Sequence, residues 1–376
     1  MNAWQPGRAN RGQRRGDRVR AVQRVRLLAL TTLVATYLLI VLGSTVRVTG
    51  SGMGCKGWPL CSGSIGPIDQ FHPLMEQSHR YLVTIVTVLV VGLAILASRT
   101  GAQARLVRGP ALAGVGVVAV QVALGAVTVV TNNAPVTVAL HLAVGLLFLG
   151  VVTVTAVASF ADPERSLPVL RGTSRLAWAA VVGLFLVLVS GSLVVDGGAE
   201  AACPSWPVCL GSRAAGGLVN LQLAHRSVVL VGGALVVFYL LDVRRGSPSR
   251  SPRRRLAMAG LGALALQVGV GAVDALLRAP EALADLHLAV AAALWATVVA
   301  TVAIRDREPS MSRRGRRGSR PLSRREPSAA RRPVVTSSAT RIPPGGRSIA
   351  TWRSFHGGRS MQRHAETEAH VSPASP

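Results

Sequence analysis

Eight apolar runs set the pattern of the chain, at about Leu27–Val46, Tyr81–Ala97, Ala111–Thr131, Val136–Phe160, Leu176–Val195, Leu221–Leu241, Leu256–Val273 and Leu283–Ile304. Each is close to the length a helix needs to cross a hydrocarbon core about 30 Å thick. The pattern predicts an all-α polytopic membrane protein with eight transmembrane helices. It also repeats. His79 and His225 are 146 residues apart, as are His141 and His287, while the pairs Cys55/Cys61 and Cys203/Cys209 are displaced by 148. Gln121, Gly125 and Ala126 fall on Gln267, Gly271 and Ala272, and the quartet from His141 to Val144 falls on that from His287 to Val290. Two homologous four-helix halves follow, 27–160 and 176–304, expected to form two bundles related by a pseudo-twofold axis.

Charge then orients the spans. A net charge of +26 would point to nucleic acid in a soluble chain, but here the arginines crowd into tails and alternate loops. Arg99, Arg105 and Arg108 follow the second span, Arg165, Arg171 and Arg175 the fourth, and Arg244 to Arg255 the sixth. By the positive-inside rule both termini are cytoplasmic and the cysteine loops face outward. Residues 1–26 are a basic cytoplasmic leader without the core or cleavage site of a signal peptide, and 161–175 is a cytoplasmic linker. Residues 305–376, rich in Arg, Ser and Pro, are expected to be a disordered cytoplasmic tail able to touch anionic headgroups. His356, His364 and His370 are incidental to it.

The candidate chemistry gathers at the outer ends of the spans. Cys55 with Cys61, and Cys203 with Cys209, are spaced for small disulfide-closed loops in an oxidising compartment, as structural staples or, near Glu76, with a redox role. On this topology spans two, four, six and eight all run inward, and His79, His141, His225 and His287 each lie near the start of one. Four imidazoles therefore share one depth, two per bundle. Two neutral imidazoles on facing helices hold a flat macrocycle by its iron, giving one haem site per half. Zinc would need further ligands, for which only the cysteines are available. Arg47, Arg80 and Arg226 either pair with haem propionates or snorkel to headgroups.

The copies differ at one ionisable position. Glu76 stands three residues before His79, and its counterpart before His225 is Gln222. If the second helix extends outward by a turn, carboxylate and imidazole share a face. One site would then do chemistry while the other relays electrons; otherwise Glu76 simply faces water in a loop.

The loop at Thr49–Cys61, with Cys-x-x-Trp-Pro-x-Cys after Thr-Gly-Ser-Gly, is followed by Glu76, His79 and Arg80, and the frame is repeated. Together these resemble the haem A synthase family of eight-span membrane proteins over residues 27–304. Lys56 and Gly57 depart from the residues relatives often carry between Cys55 and Trp58. The resemblance implies oxidation of a ring methyl of haem O to the formyl group of haem A, for aa3-type oxidase biogenesis in the cell membrane. It implies that His79 and His141 hold the substrate, that Glu76 is the catalytic acid or base, and that His225 and His287 hold a resident haem b. Expected partners are haem O, membrane lipid, a haem O synthase, a quinone or other electron acceptor, and a second copy in a homo-oligomer. The rival readings are a non-catalytic dihaem electron carrier and a membrane thiol-disulfide oxidoreductase.

Overall fold

The computed structural model describes residues 7–57, 60, 61, 63, 69–161, 173–213 and 215–304. The tail from 305, with its three histidines, most of the 161–175 linker and the pair Trp58-Pro59 lie outside the described residues. Among the described residues eight α-helices follow in order: α1 Gly7–Val48, α2 Phe71–Thr100, α3 Arg105–Val130, α4 Pro135–Phe160, α5 Arg175–Asp196, α6 Gly216–Gly246, α7 Pro252–Leu276 and α8 Glu281–Ala303. All eight contain a stretch long and apolar enough to cross a membrane. α1 also carries the arginine-rich leader from residue 7 onward, in helical continuity with the first span.

Packing divides these helices in two. α1 to α4 contact one another in a ring, α1 closing on α4, and α5 to α8 repeat the arrangement with α5 closing on α8. Between the rings, α4 touches α8, α1 touches α8 and α4 touches α5, which is the pattern a twofold through the α4–α8 contact generates. The fold is thus an all-α membrane protein of two pseudo-twofold-related four-helix bundles.

Local sequence explains the joints. Ser174 and Ser251 cap α5 and α7 by accepting backbone N–H bonds from Ala177 and Arg254, both at 3.1 Å, and Pro252 follows at the first position, where its missing N–H costs nothing. Two four-residue connections match between halves. Asn132 and Asn133 turn α3 into α4 with φ of 51° and 56°, and Arg278 and Ala279 turn α7 into α8 with φ of 61° and 56°.

The largest of the buried clusters spans the two bundles. Leu146, Leu149, Leu184, Tyr239, Leu240 and Trp295 are buried in one cluster that joins α4 to the second bundle. Trp295 donates its indole N–H to the Leu146 carbonyl at 2.8 Å, and Tyr37 reaches the Ala289 carbonyl at 3.2 Å, so polar bonds also cross between halves. In the second bundle α5 and α6 approach closely at Gly183 and Gly232, where an added Cβ at 232 would stand 2.9 Å from the Gly183 carbonyl oxygen. With lipid outside as apolar as leucine, such close contact between small residues supplies the dispersion that holds spans together.

Candidate haem site

α2 begins a full ten residues before its apolar run, at Phe71, and this brings Glu76 onto the same helix as His79. Glu76 does not face water. It is only 5 % exposed, accepts the Cys55 backbone N–H at 2.8 Å, and forms an ion pair with Arg80 one turn on. Arg80 in turn donates to the Gly57 carbonyl at 3.0 Å. A buried carboxylate is tolerable because both its oxygens are engaged.

The Cys55 amide is delivered by the loop. Gly50 takes φ of 64° to leave α1, a short 3-10 turn spans Ser51–Met53, and Gly54 then lies directly on the start of α2. An added Cβ at Gly54 would come within 2.6 Å of the His72 carbonyl carbon. Ser51 also bonds His72 Nδ1 at 2.9 Å. A disulfide joins Cys55 to Cys61, and a second joins Cys203 to Cys209.

Glu76, His79 and His141 line one cavity of about 820 Å³, together with Arg47, Gln121 and Phe148. The size falls within the range of cofactor pockets. His79 comes from α2 and His141 from α4, across the bundle. Each ring lies against a glycine of a neighbouring helix: a Cβ at Gly43 would stand 3.0 Å from His79 Cε1, and one at Gly125 3.3 Å from His141 Cε1. The second bundle repeats this at Gly191, 3.2 Å from His225 Cε1, and at Gly271, 2.6 Å from His287 Cε1. Four glycines thus clear four slots, each just wide enough for a flat ring.

Around this shared frame the partners diverge. Gln222 gives its side-chain N–H to the Glu200 carbonyl at 2.9 Å, so no carboxylate stands where Glu76 does in the first bundle. Arg226 donates to the carbonyls of Ser205 at 2.8 Å and Pro207 at 3.0 Å. Both Arg80 and Arg226 therefore turn toward a disulfide loop. Arg47 reaches across to the other half, 3.5 Å from Asp196 and 3.3 Å from Ser192, and Asp196 lines the first cavity with it.

Three of these features escaped the sequence reading: the contact of the four glycines with the imidazole rings, the Arg47–Asp196 pair, and His72. The glycines left a signal, because Gly43-Ser44 recurs as Gly191-Ser192 at the same 148-residue displacement as the cysteines.

Each bundle offers two imidazoles and, among the described residues, no third ligand for a bare metal ion, a donor set that would suit the iron of a flat macrocycle. Among the described residues no three His, Cys, Asp or Glu side chains converge as a metal site, and all four cysteines are in disulfides. The Nδ1 atoms of His79 and His141 are buried and have no hydrogen-bond partner among the described residues.

Residues 26–299 match the model of a family described as cytochrome oxidase assembly protein. The chain is 30 % identical over 263 residues to a haem A synthase of Symbiobacterium thermophilum, covering 66 % of this chain and 85 % of that one. It is 29 % identical over 231 residues to a haem A synthase of Geobacillus thermodenitrificans, covering 58 % and 73 %. A haem A synthase of Alkalihalophilus pseudofirmus is 28 % identical over 226 residues, with 58 % and 75 % covered. The matched stretch holds six spans whole and most of the first and last, with both cysteine loops and the four histidines, and the chain belongs to the haem A synthase family of cytochrome oxidase assembly proteins.

Proposed function

We propose that this protein is a haem A synthase that oxidises a ring methyl of haem O to a formyl group in two successive hydroxylations, the second product losing water. The observation that carries the reading is a buried carboxylate, Glu76, fixed by Cys55 and Arg80 in the wall of the cavity that also takes His79 and His141, with Gln222 in its place in the other half. His79 and His141 hold the substrate. His225 and His287 hold haem b, which when bound supplies a one-electron relay to a quinone or other acceptor.

Methyl to formyl removes four electrons, takes an oxygen atom from water and releases four protons. With an imidazole on each face of the substrate iron, oxygen has no open position there, so water attack at the oxidised methyl carbon is the route the ligand set favours. Glu76 then accepts the proton of the attacking water and stabilises positive charge developing beside it. Arg80 and Cys55 keep that carboxylate aimed. We place the protein in the cell membrane, with the cysteine loops outside and both termini in the cytoplasm, on the arginine distribution alone.

The test is expression in a host that makes haem O but no haem A, followed by chromatography of extracted pigments. The wild type should accumulate haem A, and Glu76→Gln should carry haem O and haem b but no haem A. Haem A at wild-type level in Glu76→Gln would refute the role of Glu76, and haem b alone in the wild type would make the protein an electron carrier.

A further inference from the structure

The two histidine pairs differ in what stands behind the rings. In the second bundle Ser190 Oγ lies 2.9 Å from His225 Nδ1, and it also lies 3.0 Å from the Val187 carbonyl oxygen. A hydroxyl has one proton. Both contacts are hydrogen bonds together only when the carbonyl, which cannot donate, takes that proton and Ser190 accepts from the ring. Nδ1 of His225 therefore carries the hydrogen, and Nε2 keeps the lone pair an iron requires. His287 is engaged too, with the Gln267 amide nitrogen 3.2 Å from its Nδ1 and 3.0 Å from its Nε2.

The first bundle lacks these supports. The residue 148 positions before Ser190 is Leu42, which offers His79 no polar atom. Gln121, the counterpart of Gln267, donates to the His141 backbone carbonyl at 2.9 Å, and on the ring it approaches only Nε2, at 3.3 Å. His225 thus has a partner that sets its tautomer and orientation, while Nδ1 of His79, like that of His141, is buried with no partner among the described residues.

Resting on the haem reading above, we propose that Ser190 is a positioning residue that makes the second site a retaining one, and that Leu42 at the equivalent place leaves the first site able to exchange substrate for product. A partner on the far nitrogen raises the basicity of a ligating imidazole and locks its ring, and losing such a partner typically weakens metal binding about 10- to 100-fold. A resident relay needs that hold. A site that must release haem A after making it does not.

The experiment uses the purified full-length protein, with excess apomyoglobin as a haem scavenger and the Soret band as readout, alongside a potentiometric titration of haem b. Ser190→Ala should speed haem b transfer at least tenfold and move its midpoint to a more positive potential. Ser190→Thr, which restores the hydroxyl, should return both toward wild type. Leu42→Ser should slow loss of haem O or haem A from the first half. Wild-type transfer rate and potential in Ser190→Ala, or unchanged pigment loss in Leu42→Ser, would overturn the proposal. His225→Ala separates the two levels: undiminished haem b in that variant would sink the haem reading itself, whereas its loss there with an inert Ser190→Ala would sink only the role of Ser190.

Discussion

Alanine substitution of the four ring-facing glycines gives a graded test of the slots they form. Carbon atoms pack best about 3.5 to 4.0 Å apart, so an added methyl would intrude on the imidazole by roughly 0.9 Å at Gly271, 0.5 Å at Gly43 and 0.2 to 0.3 Å at Gly191 and Gly125. Against that, alanine is worth about 1 kcal/mol over glycine inside a helix. Overpacking costs about 1 to 3 kcal/mol. The two effects nearly cancel at Gly125 and Gly191, and overpacking wins at Gly271, where the ring must retreat by about 1 Å. Gly262 lies on the same helix with nothing within 4 Å of an added Cβ, and serves as the control. The assay is haem content per purified protein with the Soret position of each variant. Gly271→Ala should lose most haem b, Gly43→Ala should lose substrate pigment to a smaller degree, and Gly125→Ala and Gly262→Ala should resemble wild type. Wild-type haem b in Gly271→Ala would refute the slot argument, and so would equal losses at all four positions.

The Arg47–Asp196 pair calls for a double-mutant cycle by thermal unfolding in detergent. The Asp196 side chain is 5 % exposed and that of Arg47 20 %, so Arg47→Gln and Asp196→Asn should each destabilise by about 1 to 3 kcal/mol, and the double variant by clearly less than the sum. Simple additivity would show that the pair does not couple the halves. Gly54→Ala would drive a methyl into the backbone at His72, which no side-chain rotation relieves, and so shift the Cys55 N–H away from Glu76. The ratio of haem A to haem b in membranes should fall while haem b content holds, and an unchanged ratio would contradict the aiming role given to that loop.

Where the spans lie was readable because each is a long apolar run, and the ends of α4, α5 and α8 fall within two residues of the predicted ones, but the starts of α1 and α2 were not. The stretch Glu76 to Arg80 scores as polar loop, since hydropathy cannot see that Glu76 is satisfied by Cys55 and Arg80 once α2 forms. The leader scores as a tail, although arginine is a good helix former and α1 simply continues through it. The histidines and cysteines stood out through duplication. The same duplication hid the pairing of Arg47 with Asp196, whose counterparts at the 148-residue displacement are Val195 and Val48, so the pair has no copy in the shared frame. Arg80 and Arg226 were legible as paired positions but not in their contacts, because loop carbonyls leave no mark on the side-chain sequence.

Duplication also bears on how electrons would pass between the sites on the proposed reading. The second histidine of each pair sits on α4 or α8, and these are the helices that meet at the pseudo-twofold axis. Packed helices have axes only about 8 to 10 Å apart. α8 contributes to both sites at once: His287 belongs to the second pair, and its chain neighbour Leu288 lines the cavity of the first, as does Ala284 one turn earlier. An electron leaving the substrate therefore meets α8 as the wall of its own cavity before it reaches the second macrocycle. Two sites placed on outer helices would need a longer path or a mobile carrier. On that reading the relay requires the frame to match, so the copies share the four histidines while differing at Glu76 and Ser190, whose counterparts are Gln222 and Leu42.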